Sequence, residues 1–376
     1  MKLFIALLCG ILMYFAQMYL YKRLWDRGLS VTVDFEKPVV RAGEENELIE
    51  VISNDKWLPL PVIQIKFAIT RTFRFKSNDN SAVTDQYYRN DYFSLLPYRR
   101  ITRKYGFVCT QRGCFRMNGM DVICKDLFLK GMMLKSLKHE EMVCVLPLRI
   151  PPEEVPVSAR ELMGEITDNI RRNEDPFEFA GIREYQSYDP MNRINWKASA
   201  RSSELRVNIF NTTFSQRIVL CLNMECHIRW HEDVFIEEEI RIAAALADRF
   251  ISEHIPVALY TNGLDAVTGN VVSIEAGADF SHLGNIELAL SRIDKGQSAL
   301  KLIETLKRLE QEKTYDNTEF VIISNYRKQD MVDMYEGMKS RGANVSWIIP
   351  EYGMVEPRVT QKGDRRIVKW TVKDAR

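Results

Sequence analysis

Ile218-Val219-Leu220-Cys221-Leu222 is a run of apolar residues with no polar interruption. A strand with one wet face alternates apolar and polar residues. An unbroken run instead reads as a strand buried on both faces of a parallel sheet. Downstream, Glu237 to His254 carries Ile240, Ala243, Ala244, Ala247, Phe250 and Ile251 as one helical stripe. Pro256 to Tyr260 reads as the next strand, and 286–293 and 299–309 read as helices. Glu319 to Ser324 is a third buried strand, and Met331 to Arg341 is a helix with Gly342 at its C-cap. Val345 to Ile349 is a fourth strand, and Arg366 to Val372 adds an edge. Strand alternating with helix predicts an α/β domain over 216–376 with a mostly parallel sheet.

Upstream the period changes. Val31 to Phe35, Glu47 to Ile52 and Val62 to Phe67 alternate, and later short apolar segments are separated by Ala42-Gly43-Glu44, Ser53-Asn54-Asp55, Arg112-Gly113 and Asn118-Gly119. Short strands punctuated in this way predict a β-sandwich-like domain over 29–150. Gln86 to Tyr98, rich in Tyr and Asn, reads as a loop or irregular hairpin. Residues 151–215 read as a connector, because Pro151, Pro152 and Pro156 interrupt the strands; within it Ser158 to Ile170 has helical spacing.

The first 28 residues read as an anchor and its flank. Leu3 to Tyr21 holds one clearly polar residue, Gln17. Nineteen residues span about 28 Å as a helix, close to the roughly 30 Å hydrocarbon core. Tyr14, Tyr19, Tyr21 and Trp25 suit an interface, and Lys22, Arg23 and Arg27 follow. A small-residue cleavage site is missing, which favours a retained single-pass helix over a signal peptide. The basic flank predicts soluble domains on the cytoplasmic side.

Lys plus Arg total 52 against 51 Asp plus Glu, a net charge of +1. The basic excess of a nucleic-acid binder is missing. Six of the seven cysteines lie beyond the anchor, several in strand-like runs. They read as buried free thiols in a reducing compartment rather than as a disulfide framework.

Between the two patterned regions lies Gly181-Ile182-Arg183-Glu184-Tyr185, then Asp189-Pro190-Met191-Asn192-Arg193-Ile194-Asn195-Trp196-Lys197-Ala198-Ser199-Ala200-Arg201. Asp189-Pro190 reads as a capped helix start. A helix running from Pro190 to Arg201 would align Arg193, Lys197 and Arg201 as one cationic face. Two readings stand. In one, Glu184 and Asp189 pair with these cations, and Trp196 and Tyr185 pack as a latch. In the other, the block recognises a phosphate or an acidic partner surface. A catalytic pair from Glu184 and Asp189 is disfavoured, since Asp189 is accounted for as a cap and no His or Cys nucleophile is near in sequence.

This block resembles the signature of the DUF58 family of bacterial membrane-associated proteins, G-[IL]-R-x-Y, a Gly-Asp-Asp-Pro turn, then R-I-x-W-K-A-S-A-R. Gly181, Arg183, Tyr185, Asp189, Pro190, Arg193, Ile194, Trp196, Lys197, Ala198, Ser199, Ala200 and Arg201 match it. Ser187-Tyr188 stands where the family usually has Gly-Asp, and one N-terminal apolar helix where it typically has two. The resemblance implies a β-rich domain followed by a von Willebrand factor A-like α/β domain. It also implies association with a MoxR-type AAA+ ATPase.

A metal-binding A domain carries D-x-S-x-S after its first strand. The corresponding residues here are Asn223, Glu225 and His227, so Mg²⁺ is not expected and no cofactor is implied. Glu225, His227 and His231 read as loop residues. A phosphate-cradling Gly-rich loop is also missing. The binding face of such a domain, at the C-terminal strand ends, would include Asn223 to His227, Thr261 to Gly263 and Ser324 to Arg327. The sequence thus predicts a non-enzymatic, membrane-tethered adaptor that contacts lipid through its N-terminal helix and binds a MoxR-type ATPase or its client. Its rivals are an extracytoplasmic surface-binding protein and an enzyme with a site around Arg183, Glu184 and Lys197.

Overall fold

The computed structural model describes residues 2–76, 81–83, 86–172, 179–186, 189, 191, 194–202, 204–210, 217–226, 232–298, 301–311, 318–351 and 364–372. The chain divides into two compact units, 1–148 and 149–376.

The first unit begins with α1 (Lys2–Leu24) and continues with ten strands. These are β1 (Leu29–Phe35), β2 (Val39–Arg41), β3 (Glu45–Asn54), β4 (Leu60–Thr70), β5 (Phe73–Phe75), β6 (Ser81–Val83), β7 (Gln86–Leu95), β8 (Arg99–Cys109), β9 (Gly113–Lys125) and β10 (Met132–Leu146). One sheet has the order β1-β3-β8-β5 and the other β2-β10-β9-β4-β7-β6. Only the β2–β10 pairing is parallel among the described strands of this unit. Every second residue of β3 is buried, as its alternating sequence predicts. Val33, Leu48 and Phe107 of the first sheet share one core with Ile63, Phe93 and Val143 of the second. The result is β-sandwich-like. Phe73 stacks on Phe107 at 4.7 Å and meets Phe35 and Phe115 edge-on.

Two expectations fail in this unit. The Tyr-rich stretch from Gln86 is the long strand β7, paired with β4 over most of its length. Its inward positions include Arg89 and Asp91, both buried, whose charges satisfy each other through a bond from Arg89 Nε to Asp91 Oδ2 at 2.9 Å. Charged residues at core positions erase the apolar alternation that marks a strand. The cysteines are also not all free thiols. Cys114 and Cys144 lie directly opposite each other on β9 and β10 and form a disulfide. Thirty residues separate them, so only the hairpin register reveals the pairing. Cys109, Cys124 and Cys221 are buried free thiols, each pushed up to about 12 by burial and therefore unreactive.

The second unit opens with a short 3₁₀ turn (Pro152–Glu154), α2 (Val157–Arg172), β11 (Phe179–Glu184), α3 (Trp196–Ser202) and β12 (Arg206–Phe210). There follow β13 (Arg217–Leu222), α4 (Glu232–Ser252), β14 (Val257–Asp265), β15 (Val271–Gly277), α5 (Phe280–Arg292), β16 (Ile293–Ser298) and α6 (Leu302–Gln311). The chain ends with β17 (Thr318–Ile323), α7 (Gln329–Ser340), β18 (Asn344–Glu351) and β19 (Ile367–Thr371). The main sheet has the order β15-β14-β13-β17-β18-β19, with β16 paired to β14. The pairs β13–β14, β13–β17, β17–β18 and β18–β19 are parallel, while β15 and β16 are antiparallel.

The unbroken apolar strands are explained by cover on both sides. Ile218, Leu220 and Leu222 of β13 join α2, α4 and α5 in one core. Val219 and Cys221 join α6 and α7 in another. The stretch read as a connector thus supplies α2 to the α/β core, through Ala159, Leu162, Met163 and Ile166. Helix α7 ends at Ser340 with Arg341 as its C-cap, and Gly342 follows at φ +88°, its N–H bonded to the Lys339 carbonyl.

Candidate functional site

In the second unit, the strand order reverses direction at β13: β14 and β15 lie to one side, β17 to β19 to the other. Open α/β sheets bind ligands in the crevice outside the carboxyl ends of the strands at such a point. Here that crevice holds a dense side-chain network. Asn223 Nδ2 donates to Ser324 Oγ at 2.9 Å. Asn223 Oδ1 accepts from Asn262 Nδ2 at 3.1 Å and from the Glu225 N–H at 3.0 Å. Asn262 Oδ1 accepts from the Met224 N–H at 2.8 Å, and Ser324 Oγ from the Tyr326 N–H at 3.0 Å. Asn223, Asn262 and Ser324 are all fully buried. Gly263 is needed beside them: a Cβ there would stand 2.8 Å from both Ile293 Cγ2 and Met224 Cγ.

Beneath this network, Glu239 Oε1 accepts the Asn325 N–H at 2.6 Å. Burial holds the Glu239 carboxyl well above the usual range, with the Asn325 N–H opposing the shift. Trp347 Nε1 donates to the Ser324 carbonyl at 3.0 Å. Each polar atom of the Asn223 amide is therefore engaged by protein. Glu225 lies at the mouth, its Oε2 accepting the Leu302 N–H at 3.2 Å. Burial raises its carboxyl, with Lys301 and Lys328 opposing the shift. Lys301 and Asp330 pair at 3.8 Å beside it. Of the three positions read against the D-x-S-x-S pattern, Asn223 and Glu225 fall in this crevice; His227, like His231, lies outside the described residues.

The 181–201 block is built differently from its sequence reading. Gly181, Arg183 and Glu184 lie on β11, which pairs antiparallel with β12. The Arg183 guanidinium grips both oxygens of Asp189, each at 2.6 Å. Asp189 also accepts the Gln186 N–H at 2.8 Å. Asp189 does not cap the helix that carries Lys197 and Arg201. Helix α3 begins at Trp196, capped by Asn195, whose Oδ1 accepts the Ala198 N–H at 2.9 Å. Ser199 accepts the Arg206 N–H at 2.8 Å and fastens α3 to β12. Tyr185 is half-buried, and its N–H bonds the Leu205 carbonyl.

The aromatic latch is also corrected. Trp196 is 63% exposed, and Lys197 and Arg201 on the same short helix are exposed as well. As the first residue of α3, it stands where the helix leaves its cap and not on a packed face. Pro190 and Arg193 lie outside the described residues, so the cationic face is seen here through Lys197 and Arg201.

Sequence reading missed two clusters in the first unit. Asp34, His139 and Glu141 bring ligand atoms within 4.8 Å of one another, all half-buried. His139 Nε2 lies 3.0 Å from both the Val33 carbonyl and Asp34 Oδ1, next to a register shift between Leu137 and Glu140. These are the described residues best able to share a cation, and the ring is already used as a hydrogen-bonding group. The second cluster is buried between the sheets. Glu50 accepts the Tyr105 hydroxyl at 3.1 Å, and the Arg89 guanidinium lies 3.6 Å over the Tyr105 ring. Burial, then the charge of Asp91, raises the Glu50 carboxyl to about 7. Glu50 Oε1 is buried with no hydrogen-bond partner among the described residues.

No protein-family model matches the chain, and no curated protein matches it. Solved structures similar over part of it include the CARDB domain of PF1109 from Pyrococcus furiosus. That structure shares 17% identity and a TM-score of 0.22, over 32% of this chain and 90% of that one. A cohesin–dockerin complex from Clostridium thermocellum shares 9% identity and a TM-score of 0.24, over 31% and 99%. The sporulation control protein Spo0M from Bacillus subtilis shares 14% identity and a TM-score of 0.20, over 42% and 58%. Likeness at this level carries no argument about activity.

Proposed function

We propose that the chain is a membrane-tethered, non-enzymatic adaptor whose second unit is von Willebrand factor A-like and binds a MoxR-type AAA+ ATPase or its client. One observation carries this reading: Trp196 is presented to solvent on a firmly capped and fastened helix that also carries exposed Lys197 and Arg201. A large exposed aromatic beside basic residues is the composition of a protein-binding hot spot. The doubly wound sheet and its Asn223 network give the same unit a rigid core. Helix α1 is long and apolar enough to cross a membrane, and supplies the tether.

Affinity isolation of the full-length protein from detergent-solubilised membranes tests the proposal. Enrichment of a MoxR-type ATPase is expected; isolation without any AAA+ protein overturns it. A second reading is favoured by Cys114–Cys144, since disulfides persist in oxidising compartments. That reading places the soluble units outside the cytoplasm as a surface-binding protein. Alkylation in the same cells separates the two: free thiols at both cysteines mark the cytoplasmic orientation, and a trapped disulfide the other.

A further inference from the structure

Six strand ends, those of β3, β4, β7, β8, β9 and β10, meet at one end of the sandwich. Leu60 pairs with Leu95, Val62 with Lys125, and Asn54 with Arg99. The loops 55–59, 96–98 and 126–131 therefore leave the sheets together. Asn54 Nδ2 ties two of them, donating to the Leu58 carbonyl at 3.0 Å and the Leu96 carbonyl at 3.1 Å. These loops present Trp57, Leu96, Tyr98, Leu127, Phe128 and Leu129, each between 51% and 69% exposed. A patch of this kind on a soluble surface marks a contact.

Helix α1 docks at the same end. Tyr21 donates to the Pro59 carbonyl at 2.8 Å, Lys56 Nζ to the Trp25 carbonyl at 2.6 Å, and Gln17 Nε2 to Asp126 Oδ2 at 3.3 Å. The Tyr14 ring lies 5.6 Å from that of Phe128. From Tyr14 onward the helix thus runs beside the loops. Leu3 to Met13 alone measures about 17 Å, roughly half the hydrocarbon thickness. Burying the whole apolar run to Tyr21 takes Tyr14, and Phe128 with it, about 10 Å below the boundary at Tyr21. The loops must then enter the interface. Their chemistry suits it: Trp and Tyr favour the headgroup level, and exposed Arg99, Arg100 and Lys130 attract anionic lipid.

We propose that this rim is a second membrane contact, with Leu127 to Leu129 reaching the acyl-chain boundary and Trp57 and Tyr98 lying among the headgroups. The proposal rests on reading α1 as a membrane helix. It makes the sandwich lie on the bilayer rather than hang from a flexible stalk.

Nitroxide labels on the full-length protein in phosphatidylcholine–phosphatidylglycerol vesicles test this. Cys9, exposed on α1, is labelled in one sample. In others, Cys9→Ser is combined with Phe128→Cys, Leu96→Cys or, at the far end of β8, Thr110→Cys. Cys226→Ser is present throughout, and the other cysteines are buried or disulfide-bonded. Power saturation with oxygen and with a nickel chelate reads depth. Labels at 128 and 96 are expected to shift towards oxygen, as at Cys9, while 110 favours the nickel chelate. Water exposure at both 128 and 96 with Cys9 in lipid overturns the rim and leaves the anchor standing. Cys9 itself in water overturns both.

Discussion

Replacing Asn223 by alanine is expected to lower the stability of the second unit by about 3 kcal/mol, as measured by urea unfolding. The side chain is fully buried and joins three strand ends. Its oxygen is the shared acceptor for the Glu225 N–H and the Asn262 amide, and its nitrogen donates to Ser324. Alanine removes all three bonds at once, in a place where water does not replace them. The loss exceeds that of one ordinary hydrogen bond because the groups left behind stay desolvated. Unfolding of the first unit should be unaffected. A loss under about 0.5 kcal/mol, the range of neutral surface changes, would show that the network is not what organises the strand ends.

Substituting Glu50→Gln should stabilise the first unit at pH 8 by on the order of 3 kcal/mol relative to its effect at pH 4. The carboxyl titrates at about 7 when folded, against an ordinary value of 4.5. Between those values the folded protein keeps a proton that the unfolded chain has released. Stability from this group is therefore full below about 4.5, falls as the pH rises, and levels off above about 7. Glutamine keeps an acceptor for the Tyr105 hydroxyl and removes the titration. Other groups titrate alike in both proteins and cancel in the difference. Urea unfolding across this range checks the result; parallel profiles for the two proteins would contradict it.

Glu50 also marks where sequence reading stops. Glu47 to Ile52 alternates clearly enough to read as a strand, but Glu50 shares the inward phase of Leu48 and Ile52, and its carboxyl is fully buried where the pattern calls for an apolar residue. Its cover comes from β7 and β8, including the buried Arg89 and Asp91 that hide β7 from any hydrophobic pattern. The parallel sheet was readable because burial on two faces fills Ile218 to Leu222 of β13 and Phe320 to Ile323 of β17 with apolar residues without interruption. Edge strand β15 has no such requirement, since only Val272 of Val271–Gly277 is buried. Pairings set by tertiary register, such as Cys114 with Cys144, leave no local trace.

The 181–201 block shows the same limit at the candidate site. Asp189 before Pro190 has the form of a helix start, yet the helix of Lys197 and Arg201 begins at Trp196, and Asp189 holds Arg183 through both oxygens. Asn195, six residues later, has an equally good capping side chain. Local propensity offers both and cannot choose between them. The choice matters, because a helix starting at Trp196 leaves that ring exposed rather than packed.

The most direct measurement is a titration of a purified MoxR-type ATPase against the full-length protein in detergent, wild type beside Trp196→Ala. The substitution is expected to weaken binding about tenfold or more, with the melting temperature unchanged, because the ring is exposed and serves the partner rather than the fold. Equal affinity for the two proteins, or no binding by either, would contradict the adaptor account.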